Sequence, residues 1–320
     1  MTAIVERARE RRQYGLKPLR TASWAALALF TLIVITGSGV RLTGSGLGCS
    51  NWPNCSDQSL APQDGHAYIE FGNRLITTPV AIASIACLVL ALLQAPRRRD
   101  LVRLGVWLNG LVVAQIVLGA IAVWTHLNWA AVSGHYVLSL ASLYVCVSLV
   151  RRVEHDIRGI VPAPRADEQA AGLTRALAVF AAIVVVLGTF VTASGPHAGG
   201  AGTGDVVGRL SVFGGDTFPT MVMIHARIAA VFGVAAVAVW FLARRRGARE
   251  LLAPLTAICV LVAVAGLIGR LQYHVFDYPA ELVWAHVMVA TLLWNAAVWA
   301  WLAAGRRSAD NVGLREERGV

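Results

Sequence analysis

Charge is scarce in this sequence. Of 320 residues only 14% are Asp, Glu, Lys or Arg, whereas 57% are hydrophobic, a balance that excludes a soluble domain of this length. Period-2 alternation is missing, which excludes a membrane barrel, and lipid cannot satisfy the open edges of any other sheet. The N-terminal stretch lacks the short apolar region and small-residue cleavage site of a secretory signal, so the first apolar segment is expected to stay in the mature protein. Long loops that could gate a transport path are missing too.

What is present is eight apolar runs of about 20 residues, the length a helix needs to cross a bilayer: approximately 22–41, 71–94, 101–124, 131–150, 173–193, 219–242, 251–271 and 281–304. The expected fold is an all-α integral membrane protein, with eight transmembrane helices arranged as two pseudo-symmetric four-helix bundles. The expected organisation is an N-terminal cytoplasmic tail (1–21), a first bundle (22–150), a linker with Pro162 and Pro164 (151–172), a second bundle (173–304) and a C-terminal tail (305–320).

The formal charge of +10 would suit nucleic acid, but its distribution points to topology. Of the 28 Lys and Arg, 23 fall in five clusters, Arg7–Arg20, Arg97–Arg103, Arg151–Arg175, Arg244–Arg249 and Arg306–Arg318, all on one side of an eight-helix zigzag. The positive-inside rule puts that side, with both termini, in the cytoplasm of a cell-membrane protein. Arg41, Arg74, Arg209, Arg227 and Arg270 escape the clusters and lie near outer helix ends. They either snorkel and pair within the protein or receive the carboxylates of an anionic ligand, such as heme propionates.

The two halves repeat an event. One segment ends in Val-Trp-Thr-His126 and the next resumes as Ser133-Gly134-His135-Tyr136; in the second half one ends in Arg270-Leu-Gln-Tyr-His274 and the next resumes as Val283-Trp284-Ala285-His286. On this reading His126 and His274 hold corresponding places. Self-similarity of this size suggests duplicated bundles with a site in each.

His225 and His286 sit at matching depth on helices six and eight. Two such imidazoles in one four-helix bundle can clamp a heme iron axially, whereas a single intramembrane histidine is more often a hydrogen-bonded core residue or a proton relay. In the first half His135 takes the place of His286, but Asn73 stands where the other ligand would be, leaving one iron position open. Glu70 shares a helix face with Asn73; it is either an ion-pair partner of Arg74 or a proton acceptor beside bound substrate. His66, His126, His197 and His274 read as residues of the outer loops or their edges, and His155 as a solvated residue of a basic loop.

Cys49 and Cys55 share the first outer loop, where an oxidising environment favours a short-loop disulfide, either a staple or a redox-active pair. Cys87, Cys146 and Cys259 lie within apolar helices as packing residues.

These residues resemble heme A synthases of the CtaA type. The likeness is carried by Gly39-Val40-Arg41-Leu-Thr43-Gly44-Ser45-Gly46-Leu-Gly48-Cys49 with Trp52-Pro53 and Cys55, by Glu70 ahead of Asn73-Arg74, by Gly195-Pro196-His197-Ala198-Gly199, and by His135, His225 and His286. The resemblance implies an enzyme that oxidises the C8 methyl of heme O to the formyl of heme A by successive hydroxylations. Heme b would be held by His225 and His286, and heme O received by His135, with Glu70 and Asn73 as the candidate catalytic residues. Arg41, Arg74, Arg227 and Arg270 would line the hemes, whose sites would lie near the outer side.

Implied partners are heme O, a membrane electron donor such as quinol, heme O synthase and the lipid bilayer, with no nucleic acid; a homo-oligomer is left open. The chain departs from the family pattern in carrying Asn73 in place of the His of Glu-x-x-His-Arg, in the spacing His225-Ala-Arg227, and in cysteines one residue closer than in some relatives. The rival reading is a non-enzymatic di-heme cytochrome b passing electrons from quinol to an acceptor, and behind it a heme carrier.

Overall fold

A computed structural model describes residues 2–56, 62, 64–159, 167–200, 202–205 and 207–305, and side chains from residue 15 onward. The described residues form helices α1 (Thr2–Leu42), α2 (Gly65–Leu92), α3 (Arg99–Trp124), α4 (Trp129–Arg158), α5 (Glu168–Ser194), α6 (Thr217–Arg245), α7 (Arg249–His274) and α8 (Ala280–Ala303), with one 3-10 turn at Gly214–Asp216 ahead of α6 and no strand among them. Eight helices are long and apolar enough to cross a membrane. The chain is an all-α, multi-pass membrane protein.

Polar caps lengthen the helices beyond the apolar runs. Asp64 accepts a hydrogen bond from the Ala67 amide at 2.8 Å and starts α2 at Gly65, so His66 belongs to its first turn rather than to the preceding loop, and Glu70 lies on the helix as expected. Asn128 caps α4 through Ala130, and Asp167 caps α5 through Ala170. The Ala170 amide and the Arg246 guanidinium hold the Asp167 carboxyl below the usual carboxylate range. At its other end α4 continues to Arg158 and stops at Gly159, which is left-handed with φ 62°. His155 therefore lies in the last turn of α4, half-buried, and not in a solvated loop as expected from the run of arginines around it. Pro162, Pro164 and the arginines beyond 305 lie outside the described residues.

α1 packs on α2 and α4, with α3 closing the other side against α2 and α4; α5, α6, α7 and α8 pack on one another in the same cyclic order. Each set encloses its own apolar core. One is built from Leu16, Leu19, Phe30, Leu101, Leu108, Leu143 and Leu149. The other contains Leu177, Phe232, Leu251, Leu255, Ile258 and Leu293, with Phe180 edge-on to Phe232 at 5.5 Å between centroids. Trp107, Leu93 and Val234, among others, are exposed, as surfaces facing lipid would be.

α8 ties the two sets together. Trp284 Nε1 donates to the Ile35 carbonyl at 2.8 Å, Trp294 Nε1 to the Leu140 carbonyl at 2.9 Å, and Asn295 Nδ2 to Thr31 Oγ1 at 3.1 Å. At the end carrying the basic clusters, Arg98 and Arg152 share Asp100 while Arg98 also pairs with Asp156. The histidines other than His155 gather at the opposite end.

Candidate functional site

Each intramembrane histidine leans on a glycine of the preceding helix. A Cβ added to Gly119 would stand 3.4 Å from His135 Cε1, one on Gly188 the same distance from His225 Cε1, and one on Gly269 the same distance from His286 Cε1. The first hairpin repeats the arrangement with a different side chain: a Cβ on Gly37 would stand 3.6 Å from Asn73 Nδ2. Positions 37, 73, 119 and 135 recur at 188, 225, 269 and 286, an offset of 150–152 residues. Glycine at these points lets the Cε1–Nδ1 edge of a ring come close to the neighbouring backbone, where any side chain would crowd it.

His225 and His286 face each other across the second helix set, ring centroids 6.2 Å apart and planes at 75°. Two metal–imidazole bonds of about 2.0–2.1 Å put donor nitrogens about 4 Å apart, and with the half-widths of the rings the centroids fall about 6 Å apart. The spacing fits one iron held axially. His286 Nδ1 lies 3.0 Å from the Ala265 carbonyl, four residues before Gly269. Donation there leaves Nε2 as the free lone pair. The equivalent carbonyl, Val184, lies beside His225, whose Nδ1 makes no full hydrogen bond. Among the described residues no group of three or more His, Cys, Asp or Glu converges. This donor set suits a metal that brings its own equatorial ligands, as heme iron does.

In the first set His135 Nδ1 is buried without a partner, and so is Gln115 Oε1. Gln115 Nε2 donates to the His135 carbonyl at 3.2 Å and to Ser139 Oγ at 2.9 Å, bracing the helix turn that carries the imidazole. Asn73, shorter than histidine, is drawn toward α1, where Thr36 Oγ1 donates to its Oδ1 at 2.8 Å. Asn73 also lines an open groove of about 440 Å³ between α1, α2 and the start of α8.

Glu70 is buried, and both its oxygens are engaged. Oε1 pairs with the Arg74 guanidinium and Oε2 accepts from the Cys49 amide at 2.8 Å. Arg74 reaches on to the carbonyls of Asn51 and Asn54 at 3.0 and 3.3 Å. The pair fastens the α1–α2 loop, which the Cys49–Cys55 disulfide closes. Thr43, Ser45 and His66 form a chain of 2.8 Å contacts beneath the same loop. A Cβ on Gly48 would come within 2.4 Å of the His66 carbonyl oxygen; the motif is glycine-rich because backbone crosses backbone.

The outlying arginines divide. Arg74 is committed to protein partners, so its first duty is to the loop. Arg41 Nε is enclosed without a hydrogen bond, while Arg227, two residues after His225, and Arg270, one after Gly269, are exposed and unpaired among the described residues. Arg209 is exposed in the α5–α6 connection.

The correspondence of His126 with His274 does not hold. His274 ends α7, whereas His126 lies two residues beyond α3 in a left-handed pair with Leu127 (φ 49° and 55°) whose counterpart is Asp277–Tyr278 (φ 49° and 59°). Matching the apolar segments by their ends misaligned the turns. His197 bridges loops instead, its Nε2 lying 2.7 Å from the Tyr278 carbonyl.

Sequence reading missed the four glycines and Gln115. The constant offset between halves was the available signal.

A family model described as "Cytochrome oxidase assembly protein", COX15-CtaA, matches residues 20–67 and 59–201. The chain is 31% identical over 182 residues to the heme A synthase of Symbiobacterium thermophilum, covering 55% of this chain and 60% of that protein. It is 36% identical over 99 residues to the heme A synthase of Geobacillus kaustophilus, covering 30% and 31%. A protoheme IX farnesyltransferase of Thermus thermophilus is 26% identical over 303 residues, 92% of this chain and 50% of that protein. The matches thus span between about a third and three-fifths of these relatives' lengths.

Proposed function

The chain belongs to the COX15-CtaA family of cytochrome oxidase assembly proteins, and from that premise we propose that it is a heme A synthase. The substrate is heme O, whose C8 methyl is carried to a formyl group: two hydrogens on one carbon are replaced by an oxo group in successive hydroxylations. The observation that carries this reading is the difference between two sites built on one glycine register: His225 opposite His286 in one, Asn73 in place of a histidine in the other.

In the second helix set His225 and His286 would hold a heme b. When bound, that heme supplies one-electron transfer between a donor and the substrate site. Ala265 fixes the tautomer of His286, and Gly188 and Gly269 leave room for both rings against the preceding helices. Arg227 and Arg270 would receive the heme's propionates as charge-assisted pairs.

In the first set His135 binds the substrate iron on one face. Asn73, drawn to Thr36, leaves the other face open for chemistry. Glu70 fixes the loop above the site through Arg74 and Cys49, and Arg41 offers its unsatisfied guanidinium to the substrate's carboxylates. The donor is a membrane reductant of the quinol type, and heme O arrives from the farnesyltransferase step that the Thermus relative is named for. Both termini are cytoplasmic, with the heme sites near the outer surface, because the basic clusters lie at the opposite end from His135, His225 and His286. Residues 22–150 and 173–304 act as the substrate bundle and the heme b bundle.

The test is pigment analysis. The chain is expressed with a source of heme O, and extracted hemes are separated by reverse-phase chromatography with mass detection. The formyl and hydroxymethyl derivatives are expected from the wild type. Heme b is expected to be lost on His286→Ala. Unchanged heme O under reducing, aerobic conditions would leave a cytochrome and no enzyme.

A further inference from the structure

The groove between α1, α2 and α8 has no part in the heme sites described above, yet it meets one of them. Its walls are Gly39 and Val40 of α1, Ile69, Asn73 and Ile76 of α2, and Trp284 of α8. Asn73 belongs to both places. It sits on Gly37 as His135, His225 and His286 sit on their glycines, which puts its amide at the level of the ring-binding face, and it also lines the groove. The space therefore runs from the substrate position outward between helices.

Its chemistry is graded along that line. At the inner end stand Thr36 and Asn73; Asn73 Oδ1 is taken by Thr36 Oγ1, while Nδ2 makes no hydrogen bond among the described residues and remains a free donor. Beyond them the surfaces are mainly aliphatic and aromatic, with Thr43 of α1 and Glu281 at the start of α8 as the polar exceptions. The Trp284 indole is fixed as a wall, because its Nε1 donates to the Ile35 carbonyl. Gly39 lies beneath it, where a Cβ would stand 3.5 Å from that same nitrogen; the width of the groove on the α1 side is set by the absence of a side chain.

We infer that this groove is the seat of the substrate's isoprenoid tail. The inference rests on the proposed substrate, heme O, which differs from protoheme by a hydroxyalkyl farnesyl chain. The hydroxyl next to the ring accepts from Asn73 Nδ2, and the chain lies along Val40, Ile69, Ile76 and the Trp284 face toward lipid. Desolvating so long an apolar chain favours the tailed heme over its tailless precursor. Asn73 thus has two duties that one histidine could not share: it leaves the iron face open, and it reads the mark distinguishing substrate from precursor.

The experiment is a pair of Soret difference titrations of the purified full-length protein, loaded with its resident heme, using heme O and protoheme as titrants. Two variants narrow the groove from opposite walls, Gly39→Leu and Ile69→Trp. Each is accepted as folded when the resident heme spectrum is unchanged, and either alone suffices. The wild type is expected to prefer heme O at least tenfold. A narrowed variant is expected to bind heme O at least tenfold more weakly, with protoheme binding moved less than twofold. Equal affinity of the wild type for both hemes would overturn the inference. So would undiminished heme O affinity in a folded variant, or loss of both titrants together, since that would put the ring and not the tail at this place. Because binding is read without turnover, a protein that prefers heme O but leaves it chemically unchanged would sink the enzyme reading while keeping the groove.

Discussion

Asn73 lies against Gly37, its amide nitrogen 3.6 Å from where a Cβ on that glycine would stand, in the register that elsewhere brings an imidazole onto glycine. Asn73→His should therefore place a second imidazole opposite His135. Bound heme O is expected to become six-coordinate and low-spin by electron paramagnetic resonance, with turnover reduced about tenfold or more. A spectrum that stays high-spin would mean that α2 does not face the substrate iron.

Gly188→Ala and Gly269→Ala each put a methyl 3.4 Å from a histidine Cε1. The rings must yield by a few tenths of an ångström, and heme b is expected to bind about tenfold more weakly, ~1.4 kcal/mol, with a shifted midpoint potential. Gly266→Ala is the control, since nothing lies within 4 Å of its Cβ position. Potentiometric titration of all three variants makes the comparison. Equal behaviour of the three would remove the glycines from the heme seats.

Glu70→Ala takes the counter-charge from a half-buried guanidinium and the acceptor from the Cys49 amide. A loss of about 3 kcal/mol is expected. Glu70→Gln, which keeps an acceptor for Cys49, should lose less. Thermal unfolding in detergent ranks them. If Glu70→Ala unfolds at the wild-type temperature, the pair does not fasten the loop.

Cys49→Ser with Cys55→Ser opens a loop closed over a separation of six residues, worth about 2 kcal/mol in chain entropy. The unfolding temperature should drop while the heme b spectrum stays unchanged, because His225 and His286 lie on α6 and α8. A changed spectrum would show that the loop reaches the second site.

Much of this molecule was legible in its sequence, because lipid is a severe solvent: apolar runs of bilayer length became the helices, and Cys49 and Cys55 bonded where their loop predicted. The positions of His135, His225 and His286 were also readable, since a polar ring in an apolar run stands out. What escaped was whatever depends on the facing helix. Gly119 is silent in sequence until His135 is seen on it. Whether Glu70 served Arg74 or a substrate was undecidable from an i,i+4 spacing; the Cys49 amide, far away in the chain, supplies the other half of its environment. His126 was paired with His274 because segment ends were aligned, when the turns themselves fix the register. Trp284 read as one more apolar residue, and its grip on Ile35 needed the packing of α8 on α1.

That grip links two functions mechanically. Trp284 and His286 stand two residues apart on α8, hence on nearly opposite faces. Through Trp284, Trp294 and Asn295 the helix is pinned to α1 and α4, while His286 stands on the side away from Trp284. α8 carries the groove wall on one side and the His286 imidazole on the other. The hydrogen bonds that fix this wall of the groove therefore also fix the height at which α8 presents His286.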